Sequence, residues 1–365
     1  MKLFFYFSTL LVFFVTHQLQ AAEKPNVILI LCDDVGFECF GSYGSREYTT
    51  PRLDARAANG VRFENCHSTP LCTPSRVNLM SGKSNVFNYF DFGVYPEGQP
   101  TFANYFQEHG YQTAVAGKWQ LLTGKGGITP EQAGFDTHCL WNIPGGGRNR
   151  YWNPSLVQDG ELLDLPKESY GPDITTDFLI DFITKNQTNP FLVYFPMILP
   201  HNPFDVTPDS DDPQSTDSKK NFIDMVQYID KNVGRLEDTL TSLGLRKQTL
   251  ILFTSDNGTN AQLTSELDGQ TIQGGKGYTH DYGTHVPLIV NWPGQIQGGR
   301  VIHDLICFSD VFPTIVDAAK LPAKQINDGD GWSFWPQCEG KQGRTSDWIY
   351  CYYFGRGSSA KYNDK

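Results

Sequence analysis

The sequence predicts an α/β fold: a mainly parallel central sheet flanked by helices, followed by a small, incomplete β unit at the C-terminus. Three observations predict it. Five short apolar runs rich in β-branched residues punctuate the chain, and amphipathic helical patterns lie between several of them. Acidic or basic residues follow four of the runs at or near their ends. The runs are "NVILILC" (26–32), "QTAVAG" (112–117), "FLVYF" (191–195), "TLILFTS" (249–255) and "VPLIVN" (286–291). Each is apolar almost throughout, as expected of strands covered on both faces. Thr50-Pro51 before "RLDARAANG" supplies a helix cap, a proline at the first helical position and a closing glycine. In "KKNFIDMVQYIDKNVGRLEDTLTSLG", Phe222, Met225, Ile229, Val233, Leu236 and Leu240 fall on one helical face, and "SDVFPTIVDAAK" is a further helix. Segments 141–172 and 202–218, rich in Gly, Pro, Asn and Asp, read as long surface loops of the kind that lines sites. "RTSDWIYCYYFGRG" reads as the first strand of a smaller unit that "KYNDK" leaves unclosed.

Lys2, the apolar run Leu3–Val15 and the closing Ala21-Ala22 have the layout of a secretory signal peptide. The expected organisation is therefore a signal peptide over 1–22, a catalytic α/β domain over 23–340 and the start of a C-terminal subdomain over 341–365. Export implies a periplasmic or secreted protein with no membrane span in the mature chain. The formal net charge of -11, spread along the chain, argues against a nucleic-acid partner. Any anionic substrate must then be gripped by a few local cations. The eight cysteines include no C-x-x-C pair, so neither a zinc site nor a disulfide scaffold is indicated.

The run 26–32 leads into Asp33-Asp34, and the run 249–255 into Asp256-Asn257-Gly258. The run 112–117 ends at Lys118, and the run 191–195 leads to His201. In an open parallel sheet the ligand crevice lies beyond the carboxyl ends of the strands, so these groups converge on one edge. Three carboxylates and an amide form an oxygen-only set suited to Ca²⁺ or Mg²⁺. Taken alone, an Asp-Asp pair after a strand is more often a turn or cap, and a single lysine or histidine more often solvated or structural. Two acid clusters with cations at two further strand ends favour a site.

With "CTPSR" at 72–76 and "GGKG" at 274–277 added, the chain resembles the type I sulfatases, formylglycine-dependent enzymes of the alkaline phosphatase superfamily. The resemblance runs from "KPNVILILCDDVGFECFGSYG" through "TTPRLDARAANGVRF" and "CTPSR" to "SDNG" and "GGKG". It implies that Cys72 is the precursor of formylglycine, made by a formylglycine-generating enzyme. It implies that Asp33, Asp34, Asp256, Asn257 and modified Cys72 hold a divalent cation, calcium rather than magnesium. One hydroxyl of the formylglycine hydrate would attack the sulfur of a sulfate ester, and the second would then expel sulfate. Arg76 would hold the aldehyde hydrate. Lys118, His201 and Lys276 would bind sulfate oxygens or assist the leaving alcohol.

Two positions depart from the family pattern. Gln120 stands in "GKWQ" where the family has histidine, and an amide cannot exchange a proton near neutral pH. "DYGTHVPLIV" stands where the family often reads Glu-Gly-Gly-x-Arg, which makes His280 and His285 candidates for the missing imidazole. In the loop after residue 140, Trp141, Arg148, Arg150, Tyr151 and Trp152 form an aromatic and basic cluster. It is suited either to sulfated sugars, with Arg148 and Trp152 as binding residues, or to anchoring its own loop. The expected substrate is a sulfated poly- or oligosaccharide. The competing readings are a phosphate or phosphonate ester hydrolase on the same scaffold and a non-catalytic carbohydrate-binding relative.

Overall fold

A computed structural model describes residues 24–123, 126–322, 329–344 and 346–353, so the expected signal peptide lies outside the described residues. Among them, ten strands form one sheet. They are β1 (Asn26–Cys32), β2 (Val61–His67), β3 (Gln112–Lys118), β4 (Thr137–Trp141), β5 (Val157–Gln158), β6 (Glu161–Leu162), β7 (Phe191–Pro196), β8 (Thr249–Ser255), β9 (His285–Asn291) and β10 (Arg300–Cys307). Their order is β10-β2-β9-β8-β1-β7-β3-β4-β5-β6. All five apolar runs are strands. The central block β8-β1-β7-β3-β4 is parallel throughout.

The flanks are not parallel throughout. β9 runs antiparallel to both β8 and β2, and β5 and β6 continue the other edge antiparallel. β9 can do so because the chain between β8 and β9 stays at the edge where β8 ends, forming the short hairpin Thr264–Leu267 with Gln270–Gln273 on the way. No crossover to the opposite edge is then needed.

Why the runs are apolar at every position is visible in β1. Val27, Leu29 and Leu31 belong to one buried cluster, and Ile28, Ile30 and Cys32 to another on the opposite face. Helices α2 (Cys72–Ser81), α3 (Phe102–Glu108) and α6 (Val311–Ala318) contribute to the first. Helices α1 (Pro51–Ala58), α4 (Gly171–Lys185) and α5 (Ser218–Ser242) contribute to the second. Truncating one of these strand side chains, Ile30→Ala for example, would cost about 2–5 kcal/mol by removing buried methyl groups and leaving a cavity.

The six apolar residues expected on one face of α5 are all buried. Asp217 caps that helix by accepting from the backbone N–H groups of Lys219 and Lys220. At α1, Pro51 holds the first position as expected, but Thr50 does not cap the helix with its side chain. Its hydroxyl instead donates to Asp54 Oδ1 and accepts from Gly41 N, each at 3.1 Å. All eight cysteines are unbridged. Of the stretch 344–357, where the first strand of the C-terminal unit is expected, the described residues 344 and 346–353 contain no strand, and the rest lies outside the described residues. No helix among the described residues is long and apolar enough to cross a membrane.

Candidate active site

The register of the sheet builds the site. Cys32 of β1 lies opposite Ser255 of β8, so the next residues, Asp33 and Asp256, emerge side by side. Asp256 N extends the ladder by donating to Cys32 O at 3.0 Å. Asp34 has φ 73°, a left-handed conformation that aspartate tolerates better than most side chains. Its N–H donates to Asp256 Oδ1 at 3.1 Å, and Asn257 Nδ2 donates to Asp34 Oδ1 at 2.9 Å.

Helix α2 brings the third element. Cys72 is its first residue, and Arg76 lies four residues on, along the same side. Arg76 donates from Nε (3.2 Å) and Nη2 (2.9 Å) to Asp256 Oδ2, and from Nη1 to Lys118 O at 2.9 Å. Lys118 closes β3 and donates from Nζ to both oxygens of Asp33, at 2.7 and 2.9 Å. The preceding Gly117 has φ 118°, and a Cβ there would fall 2.0 Å from Pro196 O, so no other residue fits without shifting backbone. From the far side Lys276 Nζ donates to Asp34 Oδ2 and stands 3.2 Å from His201 Nε2, which is 3.5 Å from the same carboxylate oxygen. His201 Nδ1 meets Asn202 O at 2.6 Å. A carbonyl only accepts, so Nδ1 carries the proton, and in the neutral ring Nε2 accepts from Lys276.

Asp33, Asp34, Asp256 and Asn257 have no solvent-accessible surface, and Arg76, Lys118 and Cys72 almost none. Burial opposes ionisation of Asp33, but Lys118, His201, Arg76 and Arg150 override it and hold its carboxyl far below the usual range. Asp34 is likewise lowered against burial, by His201 and Lys276. Asp256 goes the other way: burial and the neighbouring Asp33 push it up to about 7, against the pull of Arg76 and Lys118. Burial lowers His201 to about 4, against the pull of Asp34 and Asp33. Burial also raises the Cys72 thiol, so as a plain thiol it is a poor nucleophile at neutral pH.

The donor set fits a hard divalent cation. Ligand atoms of Asp33, Cys72 and Asp256 lie within 4.8 Å of one another, as do those of Asp33, Asp34 and His201. Asn257 Oδ1 is buried without a hydrogen-bond partner among the described residues, an arrangement that an ion would relieve.

Gln120 follows β3 in a left-handed conformation (φ 56°), with its Oε1 buried and unpartnered among the described residues. His285 stands apart from the cluster of carboxylates. Its Nε2 meets Glu64 O at 2.7 Å, its Nδ1 meets Asp281 Oδ2 at 3.2 Å, and its ring stacks on Phe37 at 3.8 Å. The contacts that the structure gives His285 are thus with β2, Asp281 and Phe37. His280 stacks on Tyr278. Trp152 is a loop anchor: Nε1 donates to Val206 O at 3.0 Å and its ring packs on Tyr170. Arg148 is exposed, and its carbonyl accepts from Trp141 Nε1. The charged residue of this loop that reaches the site is Arg150, whose Nη1 lies 3.8 Å from Asp33 Oδ2. Its membership in the aromatic and basic cluster was readable, but not which arginine turns inward.

The family model described as Sulfatase matches residues 25–321. Arylsulfatase A of Homo sapiens is 31% identical over 92% of this chain and 72% of its own length. N-acetylgalactosamine-6-sulfatase of Canis lupus familiaris is 30% identical over 92% of this chain and 69% of its own. Among solved structures, Ps i-CgsB superposes with a TM-score of 0.77 at 25% identity, covering 88% of this chain and 77% of that one. The same protein has also been solved in complex with k-i-k-neocarrahexaose. The chain belongs to the sulfatase family and has the make-up of a sulfuric ester hydrolase.

Proposed function

We propose that this sulfatase acts outside the cytoplasm, periplasmic or secreted, and removes sulfate from sulfated poly- or oligosaccharides. Its nucleophile would be a formylglycine made from Cys72 by a formylglycine-generating enzyme, beside a calcium ion. The observation that carries the reading is the placement of Cys72 at the start of α2, its Sγ within 4.8 Å of carboxylate oxygens of Asp33 and Asp256, with Arg76 braced on Asp256. The saccharide substrate is supported by the names of relatives, an N-acetylgalactosamine-6-sulfatase and a structure holding a neocarrahexaose. Export is supported by the signal-like composition of residues 1–22.

Asp33, Asp34, Asp256, Asn257 and residue 72 would hold the ion, which with the modified residue supplies an acidified hydroxyl as nucleophile and neutralises charge. The chain's own groups do the rest. Arg76 fixes the Asp256 carboxylate and, through its bond to Lys118 O, the end of β3. Lys118 and Lys276, held against Asp33 and Asp34, offer N–H groups to sulfate oxygens as charge builds on them. His201 keeps its proton on Nδ1 and orients Lys276 through Nε2, so the proton for a leaving alcohol is held by the lysine–histidine pair. Gln120 can donate a hydrogen bond but cannot take over that proton.

The test is desulfation of a panel of defined sulfated saccharides, with sulfate and phosphate esters of one alcohol compared in parallel. The mass of the tryptic peptide carrying position 72 is read from the same preparation. Sulfate release from saccharides by protein with a modified residue 72 is expected. Faster phosphate hydrolysis, or full turnover with an ordinary cysteine, would sink the reading.

A further inference from the structure

Arg150 has surroundings that set it apart from the other cations of the pocket. Its guanidinium lies over the Trp141 ring at 4.0 Å and 5.8 Å from the centre of the Tyr151 ring. Stacking of this kind orients the plane of a side chain that otherwise has much rotamer freedom. The residues beside it are pinned. Tyr151 Oη reaches Ile198 O at 3.0 Å and also the carbonyl of His201, Trp152 Nε1 holds Val206 O, and Gly171 N donates to Tyr151 O at 2.7 Å. A Cβ on Gly171 would fall 2.2 Å from Arg150 O, so the strap is closely seated against that glycine.

One end of the guanidinium is left without a hydrogen-bond acceptor among the described residues. That end is Nη1, which is buried in a side chain 11% exposed. The 3.8 Å to Asp33 Oδ2 is beyond hydrogen-bond reach. Lys118, Arg76 and Lys276, by contrast, spend N–H groups on Asp33, Asp256 and Asp34. Three carboxylates thus face four cations, and Arg150 carries the surplus charge. A buried N–H without an acceptor is costly, and an anion's oxygen would relieve it.

We infer that Arg150 holds an oxygen of the substrate's sulfate group and sets the affinity of the pocket for the anion. The inference rests on the sulfatase reading of the site. The rival role, bracing Asp33, predicts lost stability or calcium binding with unchanged anion affinity.

The two separate by titrating inorganic sulfate and inorganic phosphate into the calcium-loaded full chain, which needs neither turnover nor modification of Cys72. In Arg150→Met the sulfate affinity is expected to fall at least about tenfold, the loss of one charge-assisted hydrogen bond. Calcium affinity should be unchanged, and KM for a sulfate ester should rise more than kcat falls. Arg150→Gln, which keeps an amide donor, serves if the Met variant does not fold. Equal sulfate and phosphate affinities in the wild type and the folded variant overturn the assignment, whatever turnover shows. A loss seen for phosphate alone retains Arg150 as the anion grip and instead overturns sulfate as the substrate.

Discussion

His201 and His285 both stand where strands of the same sheet edge meet loops, and composition alone makes either a plausible catalytic imidazole. Their surroundings separate them. His201 spends Nδ1 on a neighbouring carbonyl and keeps Nε2 among Lys276 and Asp34, inside a cluster of buried charges. His285 spends one nitrogen on Glu64 O and the other on Asp281, with its ring stacked on Phe37 and, at 5.0 Å, beside that of His67. The first region is a cluster of buried charges paired with one another. The second is a packed joint between β2 and β9, whose paired ends are His67 and His285. Both rings have both nitrogens engaged; what differs is the partner, a charged lysine beside Asp34 for His201 and a strand carbonyl with an exposed carboxylate for His285.

The contrast can be broken experimentally, most sharply where the effect is largest. Cys72→Ala should lower turnover of a sulfate ester by about 10³-fold or more while the melting temperature changes little, since it removes the proposed nucleophile. Near-normal turnover would move the chemistry elsewhere. Chelation should come next: stripping divalent ions from the carboxylate cluster should abolish activity and lower the melting temperature, with calcium restoring both better than magnesium. Stability indifferent to chelator and metal would remove the ion from the site.

Exchanging the two histidines tests the comparison itself. His201→Gln should cut kcat by about 10²-fold with a small stability change. His285→Gln should cost about 1–3 kcal/mol of stability through lost stacking and a disturbed hydrogen bond, with kcat within a few-fold of wild type. A reversed pattern would mean the roles are assigned the wrong way round.

The smallest effect concerns Glu38, on the structural side of the divide. Thr259 donates to its Oε1, while its Oε2 is buried without a partner among the described residues. Burial raises its carboxyl above the ordinary value, despite the opposing Thr259 bond. With the folded value above the unfolded one, the folded state binds the proton more tightly. Stability is therefore full at low pH and falls as pH rises through the folded value. Glu38→Gln should flatten that decline, seen as a melting temperature that varies less between acidic and neutral pH. An unchanged pH profile would place the titration elsewhere.

Much of this was legible before any fold was known. Asp33, Asp34, Asp256 and Asn257 follow long apolar runs directly, and a parallel strand delivers whatever follows it to one edge. Those features are local, and chain order alone aligns them. Cys72, Arg76 and Lys276 were legible through short motifs whose chemistry depends on spacing within a single turn or loop. The antiparallel course of β9, the engagement of both nitrogens of His285 and the anchoring of Trp152 were not. Each depends on partners hundreds of residues away in sequence or across an irregular loop, as with His285 and Glu64 O or Trp152 and Val206 O. Arg150 is the clearest case. Composition marked two arginines in one loop, but only packing against Trp141, and the strap held by Tyr151 and Gly171, turned one of them toward Asp33 and left the other in solvent. Residue type and local order thus set which chemistry was available, while long-range packing, which no local pattern encodes, chose the side chains left free to perform it.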